Sequence, residues 1–204
     1  MRRSRQLIYA LALVIFSITH AVVATAQTQT QQRRLPKPTQ TSSRIVAVEK
    51  YTDELDNYAR LNPQARRFFT NTSEDQTGSW QEAAGEQELE NKASAIVWMK
   101  NGKPVIALVS GRSPQSSQRL TYYFRENGTL AKLHSEYTNN TNHMQSLRDR
   151  SYDPKAFLVR DFSYCTDMVT GQQKPCGDVE VVEKAFPLYL RSTELPFYAL
   201  LKKP

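Results

Sequence analysis

The chain has 204 residues and a formal net charge of +7, from 27 lysines and arginines against 20 aspartates and glutamates. The excess of positive charge lies entirely before Ile45, and from that residue onward basic and acidic side chains are equal in number. Because a nucleic-acid-binding domain needs a basic surface, the composition excludes that class of partner. The length is sufficient for one domain with its own buried core.

The first 26 residues carry the three parts of a signal peptide. Arg2, Arg3 and Arg5 form a basic start, residues 7–18 are apolar, and Ala24-Thr25-Ala26 matches the small-residue pattern of a cleavage site. An uncleaved membrane anchor is the alternative, but the apolar run is shorter than the ~20 residues that a spanning helix needs. The sequence therefore predicts cleavage after Ala26, a secreted or periplasmic location, and no stable membrane span in the mature chain.

Residues 27–43 predict a disordered tail, and residues 44–204 predict a single domain. The tail is rich in Gln and Thr and has one large apolar residue, Leu35, so it cannot bury enough apolar surface to fold. A helix is predicted over residues 44–60, with apolar side chains at helical spacing and Ser42 or Ser43 as its cap. A short second helix is predicted over residues 64–69, and the acidic residues 74–90 predict a solvated loop with a partial helix.

From Ala93 onward the apolar pattern predicts β-hairpins. Residues 93–100 and 103–110 flank Asn101-Gly102, and residues 118–126 and 129–137 flank Asn127-Gly128. Asn-Gly is typical of a type I′ turn, in which both central residues have positive φ. Further elements are predicted as a third strand pair over residues 145–152 and 156–165, a strand over residues 179–182, and a closing helix over residues 192–201.

The turn positions predict which residues face each other across each hairpin. In the second hairpin, the apolar pairs are Phe124 with Ala131, Tyr122 with Leu133, and Leu120 with Ser135. The polar pairs are Tyr123 with Lys132, Thr121 with His134, and Arg119 with Glu136. One face of this hairpin is thus apolar and the other polar.

The first hairpin is predicted to be apolar on both faces. Val97 faces Ile106 and Ala95 faces Leu108 on one side, while Trp98 faces Val105 and Ile96 faces Ala107 on the other. Both faces must then be covered. We expect the first helix to cover one of them and the C-terminal apolar residues to cover the other; these are Phe186, Leu188, Leu190, Leu195 and Phe197.

Cys165 and Cys176 are the only cysteines, and in an oxidising compartment they predict one disulfide. No CxxC pair, HExxH motif or EF-hand loop occurs, so no metal site and no cofactor are predicted. A G-x-S-x-G nucleophile motif is also missing. Asp149, Asp153 and Asp161 are interpreted as surface partners of neighbouring arginines rather than as catalytic acids.

The polar face of the second hairpin is the candidate ligand-binding surface. Its predicted binding residues combine cations with an aromatic ring, which suits an anionic or carbohydrate ligand: Arg119, Tyr123, Arg125, Lys132 and His134. Arg148 and Arg150 extend this face if the third hairpin lies alongside. The alternative is an ordinary solvated face of an antiparallel sheet.

Residues 122–130, Tyr-Tyr-Phe-Arg-Glu-Asn-Gly-Thr-Leu, resemble the strand–turn–strand unit of bacterial MORN-type repeat proteins, in which an aromatic pair precedes an Asn-Gly turn. Asn101-Gly102 is a second copy of the turn, and the resemblance covers at most these two hairpins. It implies scaffolding or contact with a membrane or partner, and so binding rather than catalysis.

The predicted fold class is α+β: one or two N-terminal helices packed on a curved antiparallel meander of about six strands, followed by a short C-terminal helix. It takes either a cystatin- or NTF2-like cone or a more open, repeat-like meander. Two alternative functions are consistent with the sequence. The first is a non-catalytic, exported binding module whose partner is an envelope component or another exported protein. The second is a small cone-fold enzyme that uses His134 and Glu136 in a pocket.

Overall fold

Nine antiparallel strands form one sheet in the computed structural model, which describes residues 40–73, 78–90, 92–176 and 188–202. The strands are β1 (Arg66–Asn71), β2 (Trp80–Ala83), β3 (Ser94–Lys100), β4 (Lys103–Ser113), β5 (Ser116–Phe124), β6 (Leu130–Asn139), β7 (Met144–Tyr152), β8 (Leu158–Asp167) and β9 (Gln173–Lys174). Their order in the sheet is β2-β1-β3-β4-β5-β6-β7-β8-β9, so neighbours in sequence are neighbours in space from β3 onward. The antiparallel meander is confirmed, but the expected number of about six strands is too low.

Two helices flank this sheet, α1 (Gln40–Leu61) and α2 (Tyr198–Leu201). Helix α1 begins four residues earlier than predicted, so Ser42 and Ser43 lie inside it and the predicted tail loses its last four residues. The predicted signal peptide, the rest of the tail and the strand over residues 179–182 lie outside the described residues. Among the residues that the structure does describe, neither helix combines the length and the apolar character that a membrane span requires.

The predicted second helix over residues 64–69 is wrong. A single 3₁₀ turn (Pro63–Ala65) is followed by strand β1, which pairs with β3 and β2. The reason is tertiary: Phe69 is fully buried and its ring stacks on Phe197 with centroids 4.9 Å apart. Residues Trp80–Ala83, expected in a solvated loop, form β2 on the outer side of β1.

The predicted closing helix over residues 192–201 is broken in the middle. Its first part is a 3₁₀ turn (Ser192–Glu194) and only its last part is the α-helix α2. Leu195 has ψ 133°, an extended value, because it precedes Pro196 and the proline ring disfavours the helical region for the residue before it. Arg67 on β1 donates hydrogen bonds to the carbonyls of Leu200 and Leu201, which fastens α2 to the sheet.

The two faces of the sheet are covered by different parts of the chain. On the core face, Leu195, Phe197 and Leu201 pack over apolar side chains of β1 and β3–β6. On the helix face, α1 packs Leu55 against Val105 and Ile106. The expectation that the first helix and the C-terminal residues cover opposite faces is therefore confirmed, although Leu188 is exposed and Phe186 lies outside the described residues.

The register of the second hairpin is confirmed from Arg119 opposite Glu136 to Tyr123 opposite Lys132. The predicted pair Phe124–Ala131 is wrong, because a bulge places Phe124 opposite Leu130. The turn explains the bulge: only Gly128 has positive φ (80°), which makes a type I turn followed by a bulge glycine instead of type I′.

The predicted register of the first hairpin is off by one residue. Its turn is as expected, with positive φ at both Asn101 (53°) and Gly102 (73°). A bulge between Trp98 and Met99 then shifts the ladder, so that Trp98 faces Ile106 and Val97 faces Ala107. Both faces stay apolar because Val105–Val109 is an unbroken apolar run. The disulfide Cys165–Cys176 is confirmed and joins β8 to the segment after β9.

Candidate ligand-binding cleft

Helix α1 crosses the helix face from β8, where Glu49 contacts Arg160, to β3, where Tyr58 contacts Met99. The hydroxyl of Tyr58 donates to the carbonyl of Met99 at 2.7 Å, and that of Tyr51 donates to the carbonyl of Phe124 at 2.9 Å. Together with Leu55 against Val105, these bonds attach the helix near the turn ends of the first two hairpins. The strands under the helix continue beyond its edge, so an open depression remains where the side of α1 meets the sheet.

Charged side chains attach α1 on its other side. Glu49 accepts hydrogen bonds from Nζ of Lys132 at 3.0 Å and from a guanidinium nitrogen of Arg160 at 3.2 Å. Only 13% of the Lys132 side chain is exposed. Burial lowers the pKa of this ammonium, but hydrogen bonds and charge attraction from Glu49 and Asp149 outweigh it, so the pKa is raised overall. Lys132 is therefore a charged anchor between helix and sheet.

A cleft of about 360 Å³ lies in this depression, between the side of α1 and the sheet. Its floor is apolar and comes from Ala59, Trp98, Ile106 and Leu108. Its rim is polar and comes from Asp56, Arg119, Thr121, Tyr123, His134 and Glu136. A concave, partly apolar site with a few converging polar groups is the usual form of a small-molecule site. We call this cleft, with these ten residues, the α1 cleft.

His134 lies between two carboxylates at the edge of the α1 cleft. Its Nδ1 is 2.6 Å from Oδ1 of Asp149 on β7, and its Nε2 is 3.2 Å from Oε1 of Glu136. The hydrogen bond with Asp149, which outweighs burial, raises the pKa of His134 above 6.5. In the imidazolium form both ring N–H groups donate to a carboxylate. Neither nitrogen is then left to accept a proton from a nucleophile.

Asp149 and Asp56 have pKa values shifted in opposite directions. Burial raises the pKa of Asp149, but hydrogen bonds and charge attraction from His134 and Lys132 outweigh it and lower the pKa overall. Asp56 accepts a hydrogen bond from the hydroxyl of Tyr123 at 3.0 Å, yet burial dominates and raises the pKa of Asp56. Burial, followed by the charge of Asp56, also raises the pKa of Tyr123.

The structure brings three of the five predicted binding residues into the α1 cleft: Arg119, Tyr123 and His134. Lys132 lies on the same face but is held by Glu49 and Asp149. Arg125 lies apart from the cleft, where its guanidinium donates to the carbonyls of Leu130 and Tyr152, both at 2.6 Å. Its contacts are structural, since they link the hairpin to the end of β7.

Arg148 and Arg150 do not extend the polar face. They stand opposite Ser135 and Leu133, on the core-face side, and Asp149 is the β7 residue that faces His134. Arg148 forms a two-point ion pair with Asp161 at 2.7 and 2.8 Å. Among the residues described, no group of three or more His, Cys, Asp or Glu side chains is placed to hold a metal ion.

Sequence reasoning missed the residues that α1 and the neighbouring strands supply. Glu49 and Asp56 are seven positions apart, two helical turns, and so share one side of α1. This spacing, next to the apolar residue Leu55, was the signal in the sequence that both carboxylates lie close to the side of α1 that contacts the sheet. Trp98, Ile106 and Leu108 were missed as a cleft floor because the bulge after Trp98 shifts which residues share the helix face.

Comparison with protein-family models, with curated proteins and with solved structures finds no match to this chain.

Proposed function

We propose that the protein is an exported, non-catalytic binding module, secreted or periplasmic, whose ligand occupies the α1 cleft. The observation that carries the proposal is the cleft itself, a site with an apolar floor and a polar rim between α1 and the sheet. Its rim combines one aromatic hydroxyl, one guanidinium and two carboxylates, groups that orient a ligand by hydrogen bonds. The signal-peptide pattern supports a ligand from the cell envelope or from another exported molecule.

The position of His134 favours binding over catalysis. A general base needs a free nitrogen within reach of the proton it removes. Both nitrogens of His134 face carboxylates, at 2.6 and 3.2 Å, and these contacts raise its pKa, which favours the form in which both nitrogens donate. The resemblance of residues 122–130 to a MORN-type hairpin remains a prediction, and it also implies binding.

The test uses a neutral fluorescent probe, N-phenyl-1-naphthylamine, with the mature chain from Gln27. We expect saturable binding to the unmodified chain and a loss of at least ten-fold in affinity for Ala59→Phe, which places a ring in the cleft. Val46→Phe is the matched control, since it adds the same ring to α1 at a position that is 66% exposed. Equal probe binding by the Ala59→Phe chain, with helix content unchanged by circular dichroism, would contradict the proposal.

A second candidate is the cone-fold enzyme that uses His134 and Glu136. The presence of His134 and Glu136 together in the lining of the α1 cleft favours it, because a general acid or base must lie beside the bound substrate. A panel of p-nitrophenyl esters, phosphates and glycosides tests this role. Turnover of any of these substrates that His134→Gln abolishes would show an enzyme and overturn the binding proposal. Hydrolysis rates equal to those in buffer alone would support the binding proposal.

A further inference from the structure

The α1 cleft continues into a second depression on the same face of the sheet. This second cleft has a volume of about 350 Å³ and shares Arg119 and Glu136 with the first. It extends toward the ends of the strands that lie farthest from α1, and its lining includes Lys92, Ser94, Ser110 and Thr138. The two clefts together form one groove with Arg119 at the junction.

The groove changes from apolar to polar along the strand direction. Residues that share a cross-strand row on the helix face are Trp98 and Ile106 in the row under α1, then Ile96 and Leu108, then Ser94 and Ser110. Successive rows are two residues apart, roughly 6.7 Å. A ligand that extends over these rows must therefore be amphipathic, with its apolar part near α1.

Arg119 supplies an unpaired positive charge at the junction of the two clefts, and Lys92 is a further exposed cation in the lining of the second cleft. The other cations of the helix face near α1 are neutralised, since Lys132 and Arg160 both contact Glu49. Arg119 stands opposite Glu136 in the ladder, but the Glu136 carboxylate lies 3.2 Å from Nε2 of His134. Arg119 is exposed, and its side chain makes no hydrogen bond or ion pair with any residue that the structure describes.

The acidic side chains of the first cleft already have protein partners. Asp56 accepts the hydroxyl hydrogen of Tyr123, and Glu136 faces the imidazole of His134. A guanidinium is well matched to a carboxylate or phosphate because its planar fork forms two parallel hydrogen bonds. At the junction of the two clefts, the side-chain charge left without a protein partner is thus the positive charge of Arg119.

We propose that the groove binds an amphipathic anion, with a carboxylate or phosphate head on Arg119 and an apolar part over Trp98, Ile106 and Leu108. This inference rests on the proposed binding function and names the ligand class of the same site. The anionic head lies at the junction of the two clefts. The hydroxyl-lined second cleft receives whatever polar group extends beyond the head.

Tryptophan fluorescence gives a direct test, because the chain has two tryptophans and only Trp98 lines the groove. In a Trp80→Phe background, the emission of Trp98 is followed during titration with four ten-carbon amphiphiles below their micelle concentrations. These probes are decanoate, decyl phosphate, decyl glucoside and decyltrimethylammonium. The two anionic probes distinguish a carboxylate from a phosphate ligand.

We expect at least one anionic probe to bind ten-fold or more tightly than both the neutral and the cationic probe. Arg119→Ala should remove that preference, so that the anionic probes bind no more tightly than the neutral probe. Lys155→Ala, which removes an exposed cation outside the groove, is the matched control. Equal affinity for all four probes, or an anion preference that survives Arg119→Ala, overturns this inference but leaves the cleft as a binding site. Absence of any binding, including that of the neutral naphthylamine probe, overturns both proposals.

Discussion

The two faces of this sheet are closed in different ways. The core face is sealed by apolar side chains, with Phe197 stacked on Phe69 and packed edge-on against Trp80. The helix face is covered by α1 through a small apolar contact at Leu55 and through charged pairs centred on Glu49. The core face thus carries a continuous apolar core, whereas the helix face leaves a cleft beside α1. We therefore expect the core face to carry most of the stability and the helix face to carry the proposed binding.

The largest effect should come from opening the core face. Phe197→Ala removes a ring that is 1% exposed and leaves a cavity against Phe69, so we expect a loss of about 3–5 kcal/mol in the free energy of unfolding. Urea denaturation followed by circular dichroism measures it. Phe157→Ala, at a ring that is 66% exposed, should change stability by less than about 0.5 kcal/mol. A small loss for Phe197→Ala would mean that the two faces do not differ as described.

A smaller effect should follow from releasing the charged attachment of α1. Glu49→Gln removes the charge that Lys132 and Arg160 share, and we expect a loss of about 1–2 kcal/mol, reduced at high salt. The matched control is Glu54→Gln on the same helix, where Lys50 is 4.0 Å away and both side chains are mostly exposed. Equal losses for the two variants would show that the charged pairs do not hold α1 in place.

The helix face should also make stability depend on pH through His134. Its pKa is raised in the folded chain, so its stabilising contribution is complete below about pH 6.5 and is lost as the pH rises through the folded pKa. Asp149 acts oppositely: its pKa is lowered, so its contribution is present above about pH 3.8 and is lost as the pH falls through the folded pKa.

The difference in the free energy of unfolding between the unmodified chain and His134→Gln should therefore shrink as the pH rises from about 6.5 through the folded pKa. We expect this change to be smaller than the loss of stability caused by Glu49→Gln. Urea denaturation at a series of pH values measures this difference. His143→Asn, which removes an imidazole from an exposed turn, is the matched control. A difference that grows between pH 6.5 and 9 would rule out the hydrogen-bonded imidazolium.

The smallest effect should come from Arg119. Because its side chain is exposed and pairs with no described residue, Arg119→Ala should change the free energy of unfolding by less than about 0.5 kcal/mol. The same denaturation assay measures it. A loss above 1 kcal/mol would give Arg119 a structural role and weaken its assignment to ligand binding.

Local signals in the sequence predicted much of this architecture. The Asn-Gly turns located two hairpins, and the alternation of residues 119–123 gave the pairing of the second hairpin correctly. Helix α1 followed from apolar spacing, and the apolar character of both faces of the first hairpin indicated that both are covered. These features depend on neighbours within a few residues, which a single sequence contains.

The errors arose where distant contacts or single residues decide the structure. Residues 66–69 were wrongly predicted as helix. They form a strand because Phe69 stacks on Phe197, and a contact so far along the chain leaves no signal in the local sequence. The bulges after Trp98 and Tyr123 each displace the ladder by one residue without a clear compositional signal. Asp56 and Glu49 entered the candidate site only through the position of α1 on the sheet, which the spacing of residues within the helix does not give.

The way in which the C-terminal residues seal the core face has a consequence for folding. From β3 onward each strand pairs with its successor, so these hairpins can form as the chain emerges, with little loop-closure entropy to overcome. Phe69, however, stacks on Phe197, which follows all nine strands, and Arg67 reaches Leu201 across 134 positions. A ribosome that still holds residues 197–201 thus keeps the core face open. The core can close only after these residues have been released.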